Sequence, residues 1–192
     1  MTINEKDLIK RTQKKNDLKA FEALVRLHQS RVRAVIYRFT QSVEDLDDIS
    51  QEAFIKAFRA IKTFKGNSSF STWLCSIAIN TCKDKLRSNK RYQQKVVSIE
   101  DKNLNQIISE QDSDIEGHLN LTTEQNLVLK EIKKLPENQQ LAIILHDIEE
   151  FSYEEIAKIS NCPVGTVKSR LFNARKTLKD KLKTHITSIT LS

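Results

Sequence analysis

The stretch Phe151–Leu182, FSYEEIAKISNCPVGTVKSRLFNARKTLKDKL, constrains the fold more tightly than any other in the chain. Ser152 and Glu155 make an S-x-x-E capping box, which satisfies orphan N–H groups and starts a helix near Tyr153. Ser160-Asn161-Cys162-Pro163 supplies the break: Asn tolerates the left-handed conformation that ends a helix, and Pro163 suits the first turn of the next. From there Val164, Val167, Leu171, Ala174, Leu178 and Leu182 recur at steps of three and four, one apolar face at helical period. The opposite face carries Thr166, Ser169, Phe172, Asn173 and Lys176, flanked by Lys168, Arg170 and Arg175. Two helices joined by so short a turn match the DNA-binding helix-turn-helix, whose second helix lies in the major groove. An ordinary helical hairpin with a solvated basic face carries similar charge. Here capping, turn and charge agree, which favours DNA.

The rest of the chain must fit such a unit. With 3 Gly, 2 Pro and little strand-like alternation in 192 residues, an all-α class is expected. A formal net charge of +7 suits a partner bearing phosphates, though a membrane surface would be served as well. No signal peptide and no apolar run near membrane-spanning length is found, so the chain is expected in the cytoplasm without membrane insertion. Cys75, Cys82 and Cys162 lack metal spacing, and on one helix the first two stand too far apart for a disulfide. Buried free thiols are expected. No cofactor is implied.

Residues 1–16 are polar and basic, which predicts a frayed first helix, and apolar positions from Leu18 to Phe39 predict a strongly amphipathic segment. A further helix spans about Val43–Phe64, with Leu46, Ile49, Ala53, Phe54, Ala57 and Ile61 facing inward. On its far side Asp45, Asp48, Gln51 and Glu52 surround Ile55. Acids in a first turn favour the helix dipole, but that does not explain an aliphatic residue in their midst. Charge around an exposed aliphatic is the pattern of a docking face for a basic partner. Asp48 and Glu52 have no His or third carboxylate to complete a metal shell, so no metal is expected.

The polar loop Phe64–Phe70 leads into a helix starting near Ser71 or Thr72, with Trp73, Leu74, Ile77, Ala78 and Thr81 inside. Ser76, Asn80, Lys83, Arg87 and Lys90 share the opposite stripe. Such a loop beside a basic helix suits single-stranded DNA, with bases on aromatic faces and phosphates along the cations. Alternatively Phe64, Phe70 and Trp73 are core and the stripe is solvated; the segment alone leaves both readings open. Ser98–Asn126 then carries seven acids against one lysine and reads as a flexible linker. Leu127–Leu135, ended by Pro136, and Leu141–Ile148 form helices that complete a second domain with the helix-turn-helix.

DLDDISQEAFIKAFRAIKTFKGNSSFSTWLCSIAINTCKDKLR, followed across the linker by LPENQQLAIILHDIEEFSYEEIAKISNCPVGTVKSRLFNARKTLKDKL, resembles an extracytoplasmic function (ECF) sigma factor of the sigma-70 family. These are promoter-specificity subunits of bacterial RNA polymerase, and the likeness covers roughly Leu18–Leu182. It implies two small helical domains, residues 1–95 and 122–185, joined by the linker 96–121. Asp48, Gln51 and Glu52, with Ile55, match the face that docks on core polymerase. Gly66, Asn67, Ser68, Ser69 and Phe70 match the loop that captures a flipped −10 base of the non-template strand, and Trp73, Asn80, Asp84 and Arg87, with Lys83, the helix that holds that strand. Unstacking a base costs a few kcal/mol and exposes its pairing edge. Lys168, Ser169, Phe172 and Asn173 match the readers of the −35 duplex, with Thr166, Arg170, Arg175 and Lys176 beside them. The resemblance also implies an anti-sigma factor as a partner, which nothing in the chain itself displays.

Cys75, Ser76, Ile79 and Asn173 depart from the common pattern. Asn favours adenine where Arg favours guanine, so an A at the matching −35 position is expected. Phe172 either touches a thymine methyl or packs along its own helix. Extended, the 26-residue linker spans about 85–90 Å, on the order of two to two and a half turns of duplex. An enzyme lacks its parts here: there is no phosphate-binding Gly-rich loop and no nucleophile–base pair. The main alternative is an activator or repressor that binds duplex DNA without polymerase. A polymerase-binding inhibitor without DNA function would leave both basic helices idle.

Overall fold

Local capping chemistry sets the elements. The computed structural model describes residues 4–97 and 122–190, which form α-helices joined by short turns, with no strand among the described residues. Helix α1 (Glu5–Lys15) starts where the Asn4 side chain accepts from the Asp7 N–H and stops at Asn16, left-handed at φ 49°. Helix α2 (Leu18–Thr40) starts the same way on Asp17 and stops at Gln41, φ 51°. Helix α3 (Glu44–Ala60) tightens into a 3₁₀ turn at Ile61–Thr63, and helix α4 (Phe70–Val97) follows the loop.

The first helix is better formed than its composition predicts. Leu8 and Ile9 are buried, and Thr12 is fully enclosed because its hydroxyl donates to the Leu8 carbonyl at 2.8 Å. A satisfied hydroxyl behaves as a small apolar group, a compensation that residue type alone hides. Across α3 and its 3₁₀ turn the expected inner face is observed at Leu46, Ile49, Ala53, Ala57 and Ile61, which are buried, whereas Phe54 is half-buried against the core.

Helix α4 departs from its expected face. Cys75, Ile79 and Cys82 are fully buried together with Leu74 and Ala78, whereas Trp73 and Ile77 are half-buried. The cause is cover from two sides, α2 and α3 on one and a C-terminal helix on the other. Burial pushes both the Cys75 and the Cys82 thiol up to about 12. They are free and inert, as expected.

The C-terminal group comprises α5 (Thr123–Lys133), α6 (Glu137–Ile143), α7 (Tyr153–Ile159) and α8 (Val164–Thr190). After α6 the chain widens into a π turn at Ile144–Ile148, where a continuous helix was expected. The Glu149 N–H reaches the Ile144 carbonyl and Phe151 N–H the Leu145 carbonyl, which swings Phe151 into the interior at 2% exposure. The Ser152/Glu155 capping box forms as predicted, and Asn161 takes the left-handed conformation at φ 47°. On α8, Val167, Leu171, Ala174 and Leu178 are buried.

The acidic segment expected to be a flexible linker lies largely outside the described residues, which resume at 122.

Two substitutions test this account of the helix-turn-helix. Ser152→Ala removes the capping hydroxyl and should cost about 1 kcal/mol. Leu171→Ala, at a site 1% exposed, should cost about 2–5 kcal/mol. Urea unfolding followed by circular dichroism should show both as lower midpoints at unchanged slope. Midpoints equal to the parent's would contradict the packing described.

Candidate nucleic-acid interface

On α3 the inward positions leave Asp48, Gln51, Glu52 and Ile55 together on the outside, and Ile55 is 51% exposed. Lys56 holds Glu52 at 2.8 Å and reaches Asp84 of α4 at 3.7 Å. Asp48 has no ion-pair partner among the described residues. The face is therefore acidic, with an aliphatic centre and one uncommitted carboxylate.

The loop between α3 and α4 is shaped by its glycine and its cap. Gly66 sits at φ 75°, a conformation strained for any residue with a Cβ. The Ser69 hydroxyl accepts from the Thr72 N–H at 3.0 Å and so caps α4. Gly66, Asn67 and Ser69 are exposed and Ser68 is half-buried. Phe70 is different: it is 2% exposed, edge-on to Phe64 at 5.5 Å and tilted against Trp73 at 5.4 Å and His28 at 5.4 Å. The aromatics form a floor under the loop, and the half-buried Phe64 and Trp73 are the ones within reach of a ligand. Along α4, Asn80, Asp84 and Arg87 are exposed, whereas Lys83 is engaged by Glu137 at 3.4 Å.

On α8 the outward face is Lys168, Ser169, Phe172, Asn173 and Lys176. Phe172 is 69% exposed, so its ring is not packed away along its own helix. With Tyr153, Leu171 and Lys179 it lines an open groove of roughly 620 Å³. Thr166 is half-buried, and Arg170 donates to the Cys162 sulfur at 3.3 Å. Arg175 is gripped by Asp147 through Nε at 3.0 Å and a terminal nitrogen at 2.5 Å; that pairing raises its pKa further.

The two helix groups meet along a polar seam that the sequence did not reveal. Glu149, its side chain 8% exposed, is paired with both Arg31 and Arg38 of α2. The Arg31 guanidinium lies 4.2 Å above the Phe151 ring and also donates to the Glu149 carbonyl. Gln140 donates to the Phe39 carbonyl at 2.9 Å and Gln41 to the Leu129 carbonyl at 2.6 Å. The Thr72 hydroxyl donates to Glu155 at 2.6 Å, and Lys158 of α7 donates to the carbonyl of Asn67 in the loop. The structure thus brings the loop and the helix-turn-helix together. It leaves the α3 face apart from the seam.

Comparison with known proteins places these features. The profile for Sigma-70 region 2 matches residues 24–92 and that for Sigma-70, region 4 matches residues 125–178. The ECF RNA polymerase sigma-E factor of Escherichia coli K12 is 40% identical over 183 residues, 94% of this chain and 95% of the relative. The chain belongs to the ECF sigma factors of the sigma-70 family. Its counterpart in Haemophilus influenzae is 38% identical over the same share of this chain and 96% of its own. The sigma factor RpoE of Bartonella quintana, solved with the anti-sigma factor NepR, is 27% identical and matches with a TM-score of 0.68 over 86% of this chain and 98% of its own. CnrH, solved with the cytosolic domain of CnrY, shares the fold at 22% identity, with a TM-score of 0.67 over 94% of this chain and 97% of its own.

The sigma factor is all-α with two domains, and among its described residues no helix is long and apolar enough to cross a membrane. Its function is that of an RNA polymerase sigma subunit, with core polymerase and promoter DNA as partners. The seam was beyond sequence reasoning because its members are ordinary surface residue types, paired across separations of 83 to 118 positions. The signal available in the sequence was small: Cys75, where the family often has an aromatic, is fully enclosed on the helix that α7 covers.

Glu155 makes the seam sensitive to acid. Partial burial pushes its carboxyl up, but hydrogen bonds from Thr72 and from the Ser152 backbone and hydroxyl outweigh this and hold it below the ordinary value of 4.5. A depressed carboxylate contributes stability that is fully present above the unfolded value and lost as pH falls through the folded one. Thr72→Val deletes one donor, so an NMR titration of Glu155 should move upward toward 4.5. An unchanged midpoint would show that the Thr72 contact is not formed in solution.

Proposed function

We propose that this ECF sigma factor docks on core polymerase through Asp48, Gln51, Glu52 and Ile55 and reads its promoter with two separate surfaces. The observation that carries this reading is the exposed Ile55 ringed by acids, on the same chain as two DNA-suited faces. A stand-alone activator or repressor has no use for the acidic face. Residues 1–95 form the docking and −10 domain, 96–121 the linker, and 122–185 the −35 domain.

In this scheme Gly66, Asn67, Ser68 and Ser69 receive a flipped non-template base over the aromatic floor that Phe70 supports. Trp73, Asn80, Asp84 and Arg87 hold the strand beyond it. Lys83 joins them once Glu137 releases it. Lys168, Ser169, Phe172, Asn173 and Lys176 enter the −35 major groove, with the exposed Phe172 ring available to a thymine methyl. Thr166 and Arg170 support the N-terminal turn of that helix, and Arg175 borders the groove while held by Asp147. The −10 and −35 elements lie about two turns of duplex apart. The contact between Lys158 and Asn67 must therefore break before both are read, and the linker allows it.

The chain contributes recognition and strand capture in the cytoplasm, and polymerase supplies the chemistry. An anti-sigma factor as a further partner fits the relative solved with one.

Run-off transcription with bacterial core polymerase tests the scheme. The chain should direct promoter-specific transcripts only with core present. Asp48→Lys and Glu52→Lys should keep the helical circular dichroism of the parent. Each should weaken core binding at least about 30-fold, the order of 2 kcal/mol for a like-charge clash. Retained core affinity would refute the docking face. In a −35 selection Asn173→Arg should shift the preferred base from A to G, and an unchanged preference would refute that reading of Asn173.

A further inference from the structure

The helix α1 is tied to the loop that the proposed function assigns to base capture. The Gln13 side-chain amide donates to two carbonyls at the exit of α3, Ile61 at 3.0 Å and Phe64 at 2.9 Å. Those carbonyls lie at the entry to the loop, so the Gln13 side chain ties α1 to it. The orientation of α1 follows. Leu8, Ile9 and Thr12 are buried, which leaves Lys6, Lys10 and Lys14 on an outward stripe beside Gln13; these positions are spaced i, i+4 and i+8, with Gln13 at i+7.

Lys62 of the 3₁₀ turn that Gln13 braces and Lys65 of the loop add to them, and all five lysines are exposed. None has an ion-pair partner among the described residues. The acids of this region are committed elsewhere: Glu5 to His28 at 3.1 Å, and Asp7 and Asp17 to Arg11 at 3.9 and 2.7 Å. The result is a patch of uncompensated cations that ends at Lys65, one residue before Gly66. On the other side of the loop begins α4, with its own basic stripe.

We propose that α1 and the turn it braces form a third DNA-contact surface, on which Lys10, Lys14, Lys62 and Lys65, with Lys6, bind the phosphates of the non-template strand beyond the captured base. This rests on reading residues 66–70 as the capture loop. Lysines are compact point charges without a fixed fork, so they suit backbone contacts that add affinity without sequence preference. A strand pinned at the loop is then held by cations on both sides of it. Gln13 is a positioning residue: it sets the patch against the loop and touches no DNA.

The test uses full-length chain assembled with core polymerase and a promoter mapped from its own transcripts. Two forked DNA probes are compared. In one the non-template single strand stops beside the captured base; in the other it continues for about ten nucleotides, within the span that single-strand grooves cover. The triple variant Lys10→Gln, Lys14→Gln, Lys65→Gln should bind the long probe about three- to tenfold more weakly and the short probe unchanged. Its slope of log K against log salt on the long probe should fall by about 2, near 0.7 per lost phosphate contact. The matching triple Arg variant should restore both.

Equal losses on the two probes, or no loss on either, would overturn the proposal. Asn67→Ala separates the two readings. If it weakens both probes while the lysine variant changes neither, the capture loop stands and the α1 surface falls. If Asn67→Ala changes neither probe, the capture loop falls and the α1 surface with it.

Discussion

Glu149 is the hinge of the whole arrangement. A carboxylate almost withdrawn from water is costly unless it is paired, and here two arginines of α2 share it. Leaving such a buried charge wholly unpaired typically costs about 3–5 kcal/mol, and with two arginines Glu149 keeps a partner if one is lost. The pairing depends on the π turn at Ile144–Ile148, which ends α6 early and delivers Glu149 and Phe151 to the seam side by side. Arg31 then serves both, pairing with the carboxylate and lying over the ring. Around that knot lie single hydrogen bonds, the Lys83–Glu137 ion pair and the apolar cover that α7 gives α4, and one of the bonds places a loop carbonyl of one domain against a lysine of the other.

A seam built this way suits a molecule that must hold two shapes. Interfaces within a chain resemble transient protein–protein contacts and are more polar than obligate ones, and this one joins ion pairs and side-chain-to-carbonyl bonds to an apolar contact between α4 and α7. Each polar group in it, Glu149 and both glutamines included, can be satisfied by water once exposed. Under the proposed function core polymerase and promoter DNA favour an open form, since only there would the two surfaces reach elements two turns apart, and binding would shift the population toward it. The acidic face of α3 stands clear of the seam, so the docking proposed for it would not require prior opening.

Elements with strong local chemistry are legible in the amino-acid sequence. The Ser152/Glu155 box, the left-handed Asn161, the buried stripe of α8 and the exposed Ile55 all follow from spacing and residue type. Three features are not, and each for a physical reason. Helix α1 hides its burial in a threonine that bonds to its own backbone. Helix α4 has two buried faces because a distant helix covers it, so one hydropathy stripe underestimates its core. The seam is made by Arg, Glu and Gln, residues that usually sit in water, and only tertiary placement shows that Glu149 does not. Of the two aromatic readings left open at the loop, the structure divides them by residue: Phe70 is core, while Phe64 and Trp73 remain partly open.

The central claim is that the two readers are docked in the free chain and separated on the promoter. The most direct measurement is a pair of spin labels at Thr63→Cys and Glu154→Cys, one exposed residue in each domain, in a Cys162→Ser background; Cys75 and Cys82 are buried and stay unlabelled. Double electron–electron resonance should give one short distance for the free protein. With core polymerase and promoter DNA the distance should lengthen to about 70 Å, two turns of duplex at roughly 34–36 Å each. A short distance that persists in an active promoter complex would contradict the account.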